Sequence, residues 1–330
     1  MSPLRTLLLV FALALLTSSA TFAQRLSPAA AREKVDVQTD VEYGKAGDRS
    51  LKLDVIKPKE ASEKPRPCVV WIHGGGWQNG NKSSGHFRLT NLVASGDYVG
   101  VTVGYRLTDE TAWPGQIHDC KAAVRWIRAN AKTLGVDPDK IGVMGSSAGG
   151  HLVSMLGTSG DVKELEGKNG SPDNSSRVSC VVDFCGPSDF LAINKDNPKL
   201  NDPSGPVYKL LGGPITTKED VAKEASPVTH VSADDPPFLI LHGTDDRTVD
   251  IRQAEILHSA QQKAGTKSTF VKITGGGHGI GGPKVEERVK TFLDKHLLGK
   301  DVEVSSEAIE AAPMAVPAKK ADGKKPVEKK

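Results

Sequence analysis

Lys140-Ile141-Gly142-Val143-Met144-Gly145-Ser146-Ser147-Ala148-Gly149-Gly150-His151 is an apolar run that ends in a cluster of small residues. Residues 140–144 read as a strand, Gly145 permits a sharp turn, and Ala148, Gly149 and Gly150 let a helix begin close to the sheet. Such a geometry lifts the Ser147 hydroxyl clear at the strand end. Taken alone, the pattern is a glycine-rich strand-to-helix turn that could equally hold a phosphate. A dinucleotide fold wants its glycine turn after the first strand, however, and this one stands midway along the chain. Ser146 is the competing hydroxyl, and the spacing of Gly145 and Gly149 favours Ser147.

Working outward, three further segments complete a chemistry. Upstream, His73-Gly74-Gly75-Gly76-Trp77 follows the apolar run 68–72. Successive glycines let backbone N–H groups turn inward, so the amides of Gly75 and Gly76, with that of Ala148, are expected to face a developing oxyanion. His73 reads as a brace of this loop and Trp77 as a wall of the substrate site. Downstream, His242-Gly243-Thr244-Asp245-Asp246 follows the run 238–241, and Gly275-Gly276-Gly277-His278-Gly279 follows 269–273. A serine hydroxyl needs a histidine to take its proton and a carboxylate to fix that histidine's tautomer. His278 and Asp246 suit these roles, with Asp245 the rival acid. The order serine, acid, histidine is that of α/β-hydrolases, unlike the orders in chymotrypsin and subtilisin. Asp183 and Asp189 follow another strand and are alternative acids, Asp189 reading better as a helix cap. His118, His151 and His230 read as ordinary polar or packing residues.

Between 35 and 298, apolar runs alternate with helical stretches, as a mostly parallel sheet covered on both faces requires. Strands are expected at 37–41, 51–56, 68–72, 98–105, 141–144, 178–184, 238–241 and 269–273. Helices are expected at 119–134, from the elbow through Met155, and at 255–264 and 285–297. The fold class is therefore α/β, with a small partial cap over 186–237, where the pattern loosens and one helical piece spans 218–225. Residues 299–330, rich in Ala, Pro, Glu and Lys, are expected to be disordered.

Hydrophobic residues make up 38% and charged residues 25% of the 330, which fits a soluble globular protein, and the net charge of +3 is too small to suggest nucleic acid. Residues 1–23 have the layout of a secretory signal peptide: Arg5, an apolar run over 7–16 and small residues up to Ala23. That run is short for a membrane span, so no stable membrane insertion is expected after cleavage, and the mature chain is expected in the periplasm or outside the cell. An uncleaved anchor is the alternative. Cys68, Cys120, Cys180 and Cys185 show no zinc-like pairing with His, and neither metal nor organic cofactor is called for. Export would permit disulfides, and buried thiols are an equal alternative.

His73 to Trp77, the stretch 119–131, Gly145 to His151 and the run 236–246 resemble exported bacterial α/β-hydrolases of the feruloyl-esterase and acetyl-xylan-esterase kind, close to hormone-sensitive-lipase-like esterases. The resemblance implies catalytic roles for Ser147, Asp246 and His278, and favours Asp246 over Asp245. It also implies a serine carboxylic ester hydrolase acting through an acyl-enzyme. Export favours an extracellular polymer or its fragments, such as acetylated or feruloylated xylan from plant or algal polysaccharide, and the short, polar cap favours short-chain or aromatic acyl esters. The absence of a long apolar lid sequence in 186–237 speaks against a triglyceride lipase. An arylformamidase or a serine peptidase with the same triad, and a catalytically silent binding relative, are the alternatives.

Overall fold

The computed structural model describes residues 26–312. The signal-peptide reading of 1–23 and the tail beyond Ala312 lie outside the described residues. A short helix α1 (Pro28–Glu33) leads into β1 (Val35–Ala46), β2 (Arg49–Pro58) and β3 (Arg66–Ile72). These are followed by α2 (Ser84–Val93), β4 (Val99–Val103), α3 (Gly115–Ala129), α4 (Ala131–Leu134), β5 (Val136–Ser146) and α5 (Ala148–Thr158). Next come β6 (Cys180–Phe184), α6 (Phe190–Asp196), α7 (Pro206–Leu211) and α8 (Glu219–Glu224). The domain closes with β7 (Phe238–Gly243), α9 (Arg252–Ala264), β8 (Ser268–Thr274), α10 (Pro283–Leu297) and β9 (Ile309–Glu310).

The strands form one nine-stranded sheet in the order β1-β2-β4-β3-β5-β6-β7-β8-β9. β2 runs antiparallel to both of its neighbours, and from β4 to β9 every pairing is parallel. This is the α/β-hydrolase sheet. Side chains alternate across a strand, so each central run feeds two cores. Val69 and Trp71 of β3 pack with Leu89, Val93, Phe292 and Leu293 on the face covered by α1, α2 and α10. Cys68, Val70 and Ile72 pack with Ile117, Val124, Leu152 and Leu257 on the face covered by α3, α5 and α9. No helix among the described residues is long and apolar enough to cross a membrane.

Two readings of the sequence need correction. The stretch expected as one helix over 119–134 begins a turn earlier and breaks at Asn130 into α3 and α4. The disorder expected from residue 299 does not begin there. Lys300 donates to Asp294 Oδ2 at 3.0 Å, and Arg288 reaches the carbonyls of Ser305 and Glu307. Ile309, 5% exposed, then enters a ninth strand on the edge of β8. A single buried isoleucine and a row of backbone bonds hold this segment, and neither shows in a composition dominated by Ala, Pro, Glu and Lys. In the 186–237 segment, α6, α7 and α8 lie among short turns and pack inward through Phe190, Val207, Leu210 and Ala222.

Candidate active site

Parallel pairing brings the carboxyl ends of β3, β5, β6, β7 and β8 to one edge, and the residues that follow them meet there. Ser147 sits at φ 57° and ψ −120°, in a region that L-residues with a side chain rarely occupy. The turn is held by Ser147 N–H donating to Phe184 O at 2.8 Å and by His151 N–H donating to Ser147 O at 2.9 Å. Its flanking glycines are required by close approach. A Cβ on Gly145 would lie 2.3 Å from Gly149 O, and one on Gly149 would lie 2.1 Å from Ile72 O.

His278 Nε2 lies 2.8 Å from Ser147 Oγ, and its Nδ1 lies 2.8 Å from Asp246 Oδ2. A carboxylate only accepts, so Nδ1 carries the ring proton and Nε2 is free to accept from the serine. The Asp246 side chain is buried, which alone would raise its pKa. Donors from His242 and His278 on Oδ2, and from the amides of Thr248 and Val249 on Oδ1, outweigh burial and hold it well below the usual carboxylate range. Asp246 is therefore ionised and fixed in place before any substrate arrives.

The rival residues fall elsewhere. Asp245 is exposed and accepts from Thr244 Oγ1 at 3.0 Å. Asp189 caps α6, accepting from the amides of Leu191 and Ala192. Asp183 is buried under α5, where burial lifts its pKa to about 6 against bonds from Gly186 N–H and Ser154 Oγ. Ser146 ends β5, and it is Ser147 that meets His278.

The loop after β3 passes directly beside the elbow. A Cβ on Gly74 would lie 2.6 Å from Ser146 O and 3.3 Å from Ser147 Cβ. Gly75 and Gly76 adopt φ 113° and 58°, and a Cβ on Gly76 would stand 3.0 Å from Pro206 at the start of α7. The His73 ring stacks on Tyr105 at 4.3 Å, and Tyr105 Oη donates to His73 O at 3.0 Å, which braces the loop. Trp77 does not wall the site as expected. It is 3% exposed, donates from Nε1 to His151 Nδ1 at 3.2 Å and packs edge-on against His151 and Phe190. The large indole is needed to fill the core behind the glycines, and sequence alone cannot distinguish that from a pocket wall.

Two residues beside the triad were not legible as site residues. His242 is fully buried, and its Nε2 serves both Val249 O at 2.8 Å and Asp246 Oδ2 at 3.3 Å. Its place four residues before Asp246 was a usable signal. Cys185, at φ 48° just past β6, brings its sulfur, an Asp246 oxygen and a His278 nitrogen within 4.8 Å of one another. All four cysteines are free and buried.

The chain is similar to a family of known proteins. The BD-FAE family profile matches residues 53–261. The probable carboxylic ester hydrolase LipM of Mycobacterium tuberculosis is 33% identical over 65% of this chain and 49% of its own length. Esterase LipC of the same organism is 29% identical over 71% and 58%. The chain thus spans about half the length of the curated relatives it matches. Among solved structures, a truncated carbohydrate esterase from gut microbiota aligns with a TM-score of 0.72 and 31% identity, covering 80% of this chain and 96% of that one. A thermophilic esterase of Thermogutta terrifontis, Est2 with butyrate bound, aligns with a TM-score of 0.67 and 28% identity, covering 81% and 96%. The profile spans more than half of the sequence, from β2 through the turn that carries Asp246 to α9, and the chain belongs to the BD-FAE family of α/β-hydrolases.

Proposed function

We propose that this protein is a serine carboxylic ester hydrolase working through an acyl-enzyme, with Ser147 as nucleophile, His278 as base and Asp246 as orienting acid. The observation that carries the reading is the unbroken chain Ser147 Oγ, His278 Nε2, His278 Nδ1, Asp246 Oδ2, with both bonds at 2.8 Å. As Ser147 Oγ attacks the ester carbonyl, its proton passes to His278 Nε2, and ionised Asp246 stabilises the resulting imidazolium. The carbonyl oxygen becomes an oxyanion held by the amides of Gly75, Gly76 and Ala148. Collapse expels the alcohol, which takes the proton from Nε2. Water then repeats the sequence on the acyl-serine and releases the acid, regenerating Ser147.

For the substrate, we propose short or aromatic acyl esters, with plant or algal polysaccharide as the bearing polymer. Butyrate bound to one relative and the carbohydrate esterase description of another support this class. The short, polar segment that carries α7, whose Pro206 stands against Gly76, is in keeping with a small acyl group. The apolar leader over 1–23 supports export to the periplasm or beyond.

A panel of acetyl, butyryl, long-chain and feruloyl esters, run beside fluorophosphonate labelling, tests the reading. Expected are turnover of acetyl or feruloyl esters and labelling at Ser147, with both lost in Ser147→Ala. Labelling at Ser146, or preference for chains beyond about ten carbons, would overturn the nucleophile or the substrate class respectively.

A further inference from the structure

The mechanism leaves one chemically potent group beside the triad unused. Cys185 closes β6 in a left-handed backbone conformation, and its Sγ donates to the His278 backbone oxygen at 3.4 Å. Its thiol takes no part in proton transfer, and burial together with the nearby Asp183 and Asp246 carboxylates pushes its pKa up to about 12. One ligand atom each from Cys185, Asp246 and His278 lies within 4.8 Å of the others. A sulfur, an imidazole nitrogen and a carboxylate oxygen, gathered around one point, form a donor set suited to a soft or borderline divalent cation.

We propose that Cys185, Asp246 and His278 bind a zinc-class cation, zinc or cadmium, and that its binding switches the site off by fixing His278 in the wrong tautomer. Zinc bonds of about 2.3 Å to sulfur and about 2.0–2.2 Å to nitrogen and oxygen place tetrahedral donors roughly 3.3–3.8 Å apart. Reaching that means drawing in the Cys185 sulfur, now within 4.8 Å of the other two atoms, and parting His278 Nδ1 from Asp246 Oδ2, now 2.8 Å apart. Asp246 is already held as a carboxylate by His242 and by the amides of Thr248 and Val249, so one ligand is ionised and anchored beforehand.

The proton balance is specific. The cation bonds to Nδ1 of His278, so the ring's single proton moves from Nδ1 to Nε2. The Cys185 thiol forms its metal–sulfur bond by releasing one proton to solvent, and Asp246 exchanges its bond from Nδ1–H for the metal. Ser147 Oγ then faces an N–H donor where it needs an acceptor, and no base remains to take its proton. Hard cations such as magnesium prefer oxygen ligands and do not compete for this set. The loss of activity rests on the hydrolase reading, whereas the binding itself does not.

The test uses the full chain, stripped of metal by a chelator. Cadmium titration should give an ultraviolet thiolate-to-cadmium charge-transfer band saturating at one cation per chain. Calorimetry with zinc in two buffers of different ionisation heat should count about one proton released per cation. Ester hydrolysis should fall with zinc occupancy, return on chelation, and be indifferent to magnesium. Cys185→Ala and Cys185→Ser should hydrolyse esters as the parent does without metal, yet lose the band and at least about tenfold in zinc sensitivity. Ser147→Ala should be inactive and keep the band.

Equal zinc sensitivity in the parent and both Cys185 variants would overturn the proposal, as would absence of the band from the parent. A parent that shows the band but hydrolyses no ester would leave the cation site standing and overturn the hydrolase reading instead.

Discussion

At the scale of single residues, the site divides by what its chemistry demands of the sequence. A nucleophile elbow needs glycines because neighbouring backbone comes within about 2.1–2.3 Å of where a Cβ would sit, so Gly145 and Gly149 announce Ser147 without any structure. His278 and Asp246 were legible for a similar reason, each standing on a short turn after an apolar run. Asp246→Asn should keep the fold and lower kcat by about 10⁴-fold, because an amide cannot hold the Nδ1–H tautomer. Asp245→Asn should stay within about twofold of the parent, since that side chain is exposed and accepts from Thr244 Oγ1. Steady-state kinetics on one aryl acetate compares them, and an inactive Asp245 variant would move the acid by one position. Cys185 escaped the reading because its importance lies in three-dimensional proximity. Cys185 is 93 positions from His278, and no spacing rule joins them.

Among elements, His151 is the joint that residue-by-residue reading undervalued. It stands on the first turn of α5, accepts from Trp77 Nε1 on the oxyanion-side loop, and donates from Nε2 to Ala225 O just after α8 at 2.7 Å. The helix that starts at Ser147, the glycine loop and the cap segment are thereby tied through one neutral ring. Burial pushes its pKa down from 6.5 to about 4, because a second ring proton would be buried and would confront the Trp77 N–H. The unfolded imidazole protonates near 6.5 and the folded one near 4, so its contribution is complete above 6.5 and is lost as pH falls toward 4. That loss is roughly 3 kcal/mol. His151→Gln should be about 1–2 kcal/mol less stable at neutral pH, where its bonds are weakened, yet decline less between pH 6.5 and 4. Urea unfolding at three pH values measures this, and parallel declines in both proteins would refute it. The buried strands were legible as continuous apolar runs, as parallel pairing requires. α2 was not, because its apolar stripe is short, Leu89 and Val93 with half-buried Leu92, while Gly85 is dictated by contact with Thr102 and Trp71.

For the whole molecule, the question is where the fold ends. The sheet does not close at β8, since β9 adds Ile309 and Glu310 in parallel register with Ile273 and Thr274, and Ala311 N–H donates to Thr274 O at 2.9 Å. Thr274 directly precedes the glycine turn that presents His278, so the last strand covers the edge from which His278 projects. A chain ending at Ala312 should match the full chain in melting temperature and in hydrolysis, because residues 313–330 offer few branched apolar or aromatic side chains to bury. Ending at Leu298 is different. It exposes the surface that Ile309 covers and removes the bonds to Thr274 and Arg288, a loss of about 1.5–3 kcal/mol from the isoleucine alone. For a domain of this size that corresponds to a fall of roughly 3–12 °C in melting temperature. Hydrolysis should weaken further still, because an uncovered β8 edge frays toward His278. Thermal melts and kinetics on the two truncated chains decide between the boundaries. If the chain ending at Leu298 melted and turned over like the full protein, β9 would be an ornament on the sheet and the shorter domain drawn from composition would be the right one.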